Sequence, residues 1–477
     1  MRLSVPTEQA RHLLCRFSYG ITPEMLRNVE ALGGGEHWFR RQLAPGQVAD
    51  GFASNMRSWF PYLAYPPSDL WHAQQTGLVR GWDVMMNFVQ WTLLRRTFSR
   101  RQLHEVMSDF WSNLLHVAVP DDGSWPHRIG YDSVIRQNAL GRFDDLLVAA
   151  VTHPAMGGYL DNAKSTATRL NENLGRELLE LHTVGRESGF GEVEVKDSAR
   201  ILTGFRVDLN DTWRPYYSPG DHFVGHVSVL GFSAANAEPD GRAVTRAYLR
   251  YLAYHPATAQ RISRRLCVQF VSDDPSPDLI AVVASAYTAS GTDIKATLRA
   301  LVTHSEFARS VGHKVRTPSE DAVATYRALG IRMERPELAD DFLHAMLIHV
   351  NSMGQRPFEW PRPDGFPNVA DAWVGVSRML NSWTVHATMA NGWVGGAVGF
   401  QPPEAWMPAL PARLSFVVDH IVRKLLARQS SAALRSAVCR KVGLRPDYLV
   451  RSIRDLGSWR LGSILSSVLD TPLHMTR

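Results

Sequence analysis

Apolar side chains recur at three- and four-residue intervals through most of the chain, while strict alternation is scarce, so the pattern predicts helices rather than strands. The predicted helices cover 80–115 with a break near Ser99, 141–151, 172–184, 193–203, 245–253, 258–271, 277–289, 294–302, 319–329, 369–390 and 414–427. Two stretches escape the pattern: 208–240, rich in glycine, proline and aromatics, and 354–368, GQRPFEWPRPDGFPN. Both are longer than a connector needs to be, and long ordered loops are where binding and catalytic groups concentrate. No Gly-, Ser- or Pro-rich linker divides the chain. The expected architecture is therefore all-α: a large single multi-helical domain over 1–477 with two long structured loops.

Three segments repeat one theme: LLVAAVTHPAM, YLRYLAYHPAT and TLRALVTHSEF each carry an apolar helix to a histidine, at His153, His255 and His304. An imidazole in a last turn suits the negative end of the helix dipole, and a following proline stops one helix and opens the next. These histidines are expected to be caps. Their unequal spacing argues for similar helical hairpins rather than a regular solenoid.

Composition changes this picture little. With 45% hydrophobic and 21% charged residues among 477, the chain has material for a large core and is not of the disordered class. Its net charge of +6 comes from arginines spread along the sequence, which gives no basic stripe for nucleic acid. The three cysteines, Cys15, Cys267 and Cys439, lie far apart without ligand spacing; buried thiols are expected and a disulfide framework is excluded. The opening residues MRLSVPTEQARHLLCRFSYG lack the charged and then apolar run of a secretory signal, and no apolar run approaches the ~18 residues of a membrane span. A cytoplasmic location is expected.

The chemistry concentrates at 171–185, NENLGRELLELHTVG. Asn171 is placed to cap a helix that Gly185 ends. On a helical wheel Leu174, Leu178, Leu179 and Leu181 share a side with His182, and Glu172, Asn173, Arg176, Glu177 and Glu180 fall opposite. Arg176 stands in register with Glu172 and Glu180. A carboxylate-bridged di-iron helix is excluded, because no Glu-x-x-His spacing occurs here. The HEVM at His104 lacks the second histidine of a zinc-protease helix, since Ser108 occupies that place. No nucleophile elbow, phosphate loop or dinucleotide fingerprint is present, and no ligand set with metal spacing is evident, so cofactor and metal stay unassigned.

Read with RHLLCRFSYG, FWSNLLHV, HPAMGGYLDN, DSARILTGF, HPATAQRISRRL and the 354–368 loop, the stretch resembles the bacterial domain-of-unknown-function 1800 family from about residue 11 to 391, leaving 392–477 as a helical extension. The resemblance implies an α-helical protein and, as a partner, a protein of the domain-of-unknown-function 1501 family, which resembles phosphatases and sulfatases. It also marks Asn113, Asp161, Asn162, Asn171, Glu172, Asn173, Arg176, Glu177, Glu180, His182, Arg200, His222 and Gln355. Two departures stand out. The family's Asn-His-Phe is Asn113, Leu114, Leu115 here, with His116 two places late. Its His-Asp-x-Gly-x-Lys becomes His222, Phe223, then Gly225 and His226, which puts an inherited activity in question.

Two functions fit these residues. In an acid/base enzyme of hydrolysis or group transfer, Glu177, His182 and His222 would move protons beside Glu172, and Arg176 would hold an anionic group. Asn113, Asp161, Asn162, Asn171, Asn173, Gln355 and Trp360 would then bind substrate. In a non-catalytic binding or assembly protein the same groups would form a buried network, with the tryptophan-proline loop as partner surface.

Overall fold

The computed structural model describes residues 5–119, 121, 123–209, 211–336 and 340–477. Helix accounts for 61% of the residues and strand for 5%, which establishes the all-α class. Among the described residues the strands pair only as four antiparallel two-stranded ribbons. Two of these lie within the irregular 208–240 region and its approach: Phe205–Val207 with Pro215–Tyr217, and Val227–Val229 with Phe232–Ala234.

The predicted break near Ser99 separates Gly81–Phe98 from Gln102–Leu114. The Ser99 hydroxyl accepts the N–H of Arg101 at 3.0 Å and donates to Asp50 at 2.8 Å, so a polar corner sits between two apolar helices. The helix predicted over 369–390 is shorter than expected. Only Val376–Ala390 is α-helical, and the segment before it makes one 3-10 turn, Ala370–Ala372, whose first N–H is held by Asp273 at 2.7 Å.

Pro318–Leu329 is the axis of the fold, buried along its whole length. A helix apolar or satisfied on every side is one surrounded by others; this one packs against Gly81–Phe98, Asp341–Ser352, Val376–Ala390 and Leu414–Leu426. Thr317 and Glu320 form its capping box, pointing the N-terminus at a cavity. A second group, Pro256–Phe270, Pro277–Ala289 and Ile294–Thr303, packs in sequence order, and the first of these helices lines that cavity.

His153, His255 and His304 stand at helix junctions as expected, but with the opposite polarity. Each ring Nδ1 accepts the backbone N–H two residues on, at 3.2, 3.2 and 3.3 Å, so each caps the helix that follows. A lone pair serves an N-terminus and a charged ring would not. Burial, then His127, accordingly holds His153 down at about 3. All three cysteines are free and buried. No helix among the described residues is long and apolar enough to cross a membrane.

Candidate functional site

The 171–185 segment opens one residue later than expected, with Glu172 at the cap position and the Asn171 side chain accepting the N–H of Asn173 at 3.0 Å. It does not continue as one α-helix. Asn173–Glu177 is followed by a π-turn, Leu178–His182, closed by the Thr183 hydroxyl on the Leu178 carbonyl at 2.6 Å. Widening the turn changes the angle per residue, which defeats a wheel drawn at a constant 100°. Leu174, Leu178 and Leu179 are buried as expected, but Leu181 is only half-buried. Its carbonyl is open to a neighbour and accepts Arg261 at 3.2 and 3.3 Å. Gly175 makes the segment's other contact possible, because a Cβ there would stand 2.6 Å from the Ala199 nitrogen of Glu192–Ile201.

The acidic face is partly a network. Arg176 meets Glu192 at 2.7 Å, Glu172 at 3.3 Å and Glu180 at 3.9 Å, and buried Glu180 also takes Arg186 at 2.5 Å. Glu177 differs. It makes no hydrogen bond or ion pair among the described residues, and it is half-buried. Loss of solvent, then the nearby Glu180, raise its carboxyl above the ordinary range, while Arg186 and Arg176 pull the other way.

The two histidines expected beside it lie in packed surroundings. His182 is fully buried, with Nδ1 donating to the Leu114 carbonyl at 2.9 Å, and burial holds it at about 4. His222 is clasped between the Thr203 carbonyl and the Asn236 Oδ1, each at 3.0 Å, over Gly241, where a Cβ would meet the ring at 2.1 Å. It has no hydrogen bond to Glu177 or His182. The departures from the family pattern are equally local: Phe223 lies under the Arg200 guanidinium, and His226 meets Ser233 at 3.0 Å.

The expected binding residues divide. Asp161, in a left-handed conformation, pairs with Lys164 at 2.9 Å; buried Asn162 donates to the Leu202 carbonyl at 3.0 Å; Asn173 is exposed. Trp360 donates to Asp364 at 2.7 Å and packs on Phe366. Asn113 and Gln355, by contrast, line a common cavity of about 360 Å³.

That cavity lies between Gln102–Leu114, Pro256–Phe270, the start of Pro318–Leu329 and the 354–368 loop. Asn113 pins the loop by accepting the N–H of Phe366 at 2.7 Å and donating to its carbonyl at 2.8 Å. Gly365 allows that approach, at φ +70° and with a Cβ position 2.1 Å from the Asn113 carbonyl oxygen. Gln355 accepts the N–H of Ser319 at 3.0 Å. His116, two places late in sequence, still reaches the wall. It donates to the Trp360 carbonyl at 2.8 Å, and burial holds its ring at about 4.

The charges of this cavity do not cancel. Its acids are each matched: Asp109 by Arg96, Asp273 by Lys314, and Glu320 by Arg477 at 3.0 Å. Arg261, Arg264 and Arg265 have no carboxylate within ion-pair distance among the described residues. They stand at i, i+3 and i+4 on Pro256–Phe270, a helix without an acidic residue. Burial, then the neighbouring Arg261, lower the proton affinity of Arg265, and the more distant Asp364 carboxylate offsets this only in part. Sequence reasoning quoted this motif but nominated none of the three. The signal available was the absence of any acid on their own helix.

Apart from the cavity, Asp321, His386 and His474 bring metal-ligating atoms within 4.8 Å of one another, all three residues buried. Residues so far apart in the chain leave no spacing for sequence reasoning to find.

The structure thus defines a large helical protein with a cation-lined cavity. A family model described as "Protein of unknown function (DUF1800)" matches residues 12–468, and the chain belongs to that family. The match runs on through the C-terminal helices that the sequence motifs had left out. No curated protein and no solved structure matches the chain.

Proposed function

We propose that the protein takes a small polar anion, or the anionic group of a small polar molecule, into the cavity beside Pro256–Phe270. The observation that carries this reading is the triad Arg261, Arg264 and Arg265, unmatched by carboxylates in a cavity whose own acids are all paired. Guanidinium groups gathered without counter-ions cost stability, and a phosphate or sulfate oxyanion relieves that cost through charge-assisted hydrogen bonds. A volume of about 360 Å³ admits a small molecule. Such a ligand also suits the phosphatase- or sulfatase-like partner implied by the family resemblance, whose substrates carry the same kind of anion.

Glu177 adds acid/base chemistry to this reading. Its unpaired carboxyl, held above the ordinary range, suits a group that takes and returns a proton during hydrolysis or group transfer. The Asp364 carboxylate acts electrostatically on both Glu177 and Arg265, which joins the two neighbourhoods.

The test is thermal denaturation of the full chain in sodium phosphate or sulfate against sodium chloride of equal ionic strength. The expected result is a rise in Tm specific to the oxyanions, lost in Arg265→Gln, with that variant no less stable than the wild type in chloride. Equal melting in all three salts overturns the reading. So does an Arg265→Gln variant that is destabilised in chloride, because the arginine would then be scaffold.

A further inference from the structure

We propose that Asp321 Oδ1, His386 Nε2 and His474 Nε2 bind one divalent transition-metal ion, zinc by the chemistry of the set, as an internal staple independent of the cavity. The three atoms come from different elements: Pro318–Leu329, Val376–Ala390 and the turn Pro472–Met475. His386 Nε2 lies 3.3 Å and His474 Nε2 3.5 Å from Asp321 Oδ1. Tetrahedral zinc with bonds of about 2.0–2.1 Å sets its ligands about 3.4 Å apart. Nitrogen-rich sets of this kind select zinc-like ions over magnesium or calcium.

What surrounds the ligands orients them. His386 Nδ1 donates to Asp470 at 3.0 Å, which leaves the Nε2 lone pair for the ion in the arrangement that metal-bound histidines favour. The second oxygen of Asp321 is occupied by the Ser382 hydroxyl at 2.8 Å and Arg378 at 3.3 Å, so only Oδ1 faces the histidines. Thr325 Oγ1 lies 3.1 Å from His474 Nε2 and is the hydroxyl beside the set. Arg378 adds positive charge beside the ion, and the Asp470 carboxylate offsets it. With all three ligands buried, the ion has no route to a substrate, and its role is structural.

The competing occupant is a proton on His386 Nε2, which would donate to Asp321 across the same gap. Metal content separates the two. Tag-free full-length protein is stripped with chelator and titrated with zinc chloride by calorimetry, and the zinc-loaded protein is examined by X-ray absorption at the zinc edge. The expected result is one ion per chain, outer-shell scattering from two imidazoles, and a Tm that rises with zinc. His474→Asn and Asp321→Asn should each weaken binding at least about 100-fold. No stoichiometric binding by the wild type overturns the proposal and leaves the proton in place. An ion bound without imidazole, or binding that both variants retain, overturns it equally. Should either variant fail to fold, the wild-type absorption spectrum decides alone.

Discussion

Replacing Glu105 by glutamine tests whether the helical frame rests on its buried charges. Glu105 lies within Gln102–Leu114, enclosed by Arg136 at 2.5 Å and Arg95 at 3.9 Å, while Asp132 holds Arg95 from the other side at 3.2 Å. Burial alone would raise its carboxyl; Arg136 and Arg95 more than reverse that and hold it at about 2 against 4.5. By linkage that difference is worth about 3 kcal/mol at pH 7. Breaking a buried pair by removing one partner costs about 3–5 kcal/mol, so two independent routes agree. Because the folded carboxyl is the stronger acid, its contribution is complete above the unfolded value of 4.5 and is lost as pH falls through about 2. Urea unfolding followed by tryptophan fluorescence should show Glu105→Gln less stable by about 3 kcal/mol at pH 7, the gap shrinking to about half by pH 3. A gap under about 1 kcal/mol at pH 7, or one that does not narrow between pH 5 and pH 3, would refute the argument.

Three further substitutions have definite outcomes. Gly365→Ala places a methyl against the Asn113 carbonyl at a positive φ, and should both cost about 1–3 kcal/mol and abolish any oxyanion-dependent rise in Tm, as measured by scanning fluorimetry. His222→Ala removes a ring clasped by Thr203 and Asn236, and should lower stability by about 2 kcal/mol in the same urea assay; unchanged stability would return His222 to candidacy as a chemical group. Arg176→Ala acts on a half-exposed side chain whose nearest partner, Glu192, is 69% exposed, so a loss of only about 1 kcal/mol is expected, and a loss above about 3 kcal/mol would mean that the network is effectively buried.

The helices were readable because burial on one face imposes a 3.6-residue period, and it did so from Phe143–Val151 to Leu414–Leu426. Where another force set the geometry, the period misled. At 369–375 the chain is held by Asp273 and the loop before it, not by an apolar stripe. At Leu178–His182 a side-chain hydroxyl completes the turn, which a periodicity does not register. The candidate site was legible in part for a different reason. Asn113 and Gln355 are marked by the family resemblance, and both reach the cavity. Arg261, Arg264 and Arg265 belong to a motif that the sequence offers only as part of the family resemblance, because the lack of a paired carboxylate is a property of everything packed around them. His182 was read as a polar group on an apolar face, and its fate depended on whether a carboxylate or a carbonyl stood opposite.

The open carbonyl of Leu181 ties the position of an arginine to the residue count of a different helix. If Thr183 and Gly185 returned to an ordinary α-helical ladder, Leu181 would offer its oxygen to the backbone four residues on, and Arg261 would lose its acceptor. Deleting one residue between Leu178 and His182 would therefore take away the acceptor of Arg261 while the arginine itself remained in place. Substituting Thr183, whose hydroxyl closes the turn, would reach the same determinant from outside the arginine helix. Among relatives, a length difference at this turn would mark whether an arginine at the position of Arg261 keeps this acceptor.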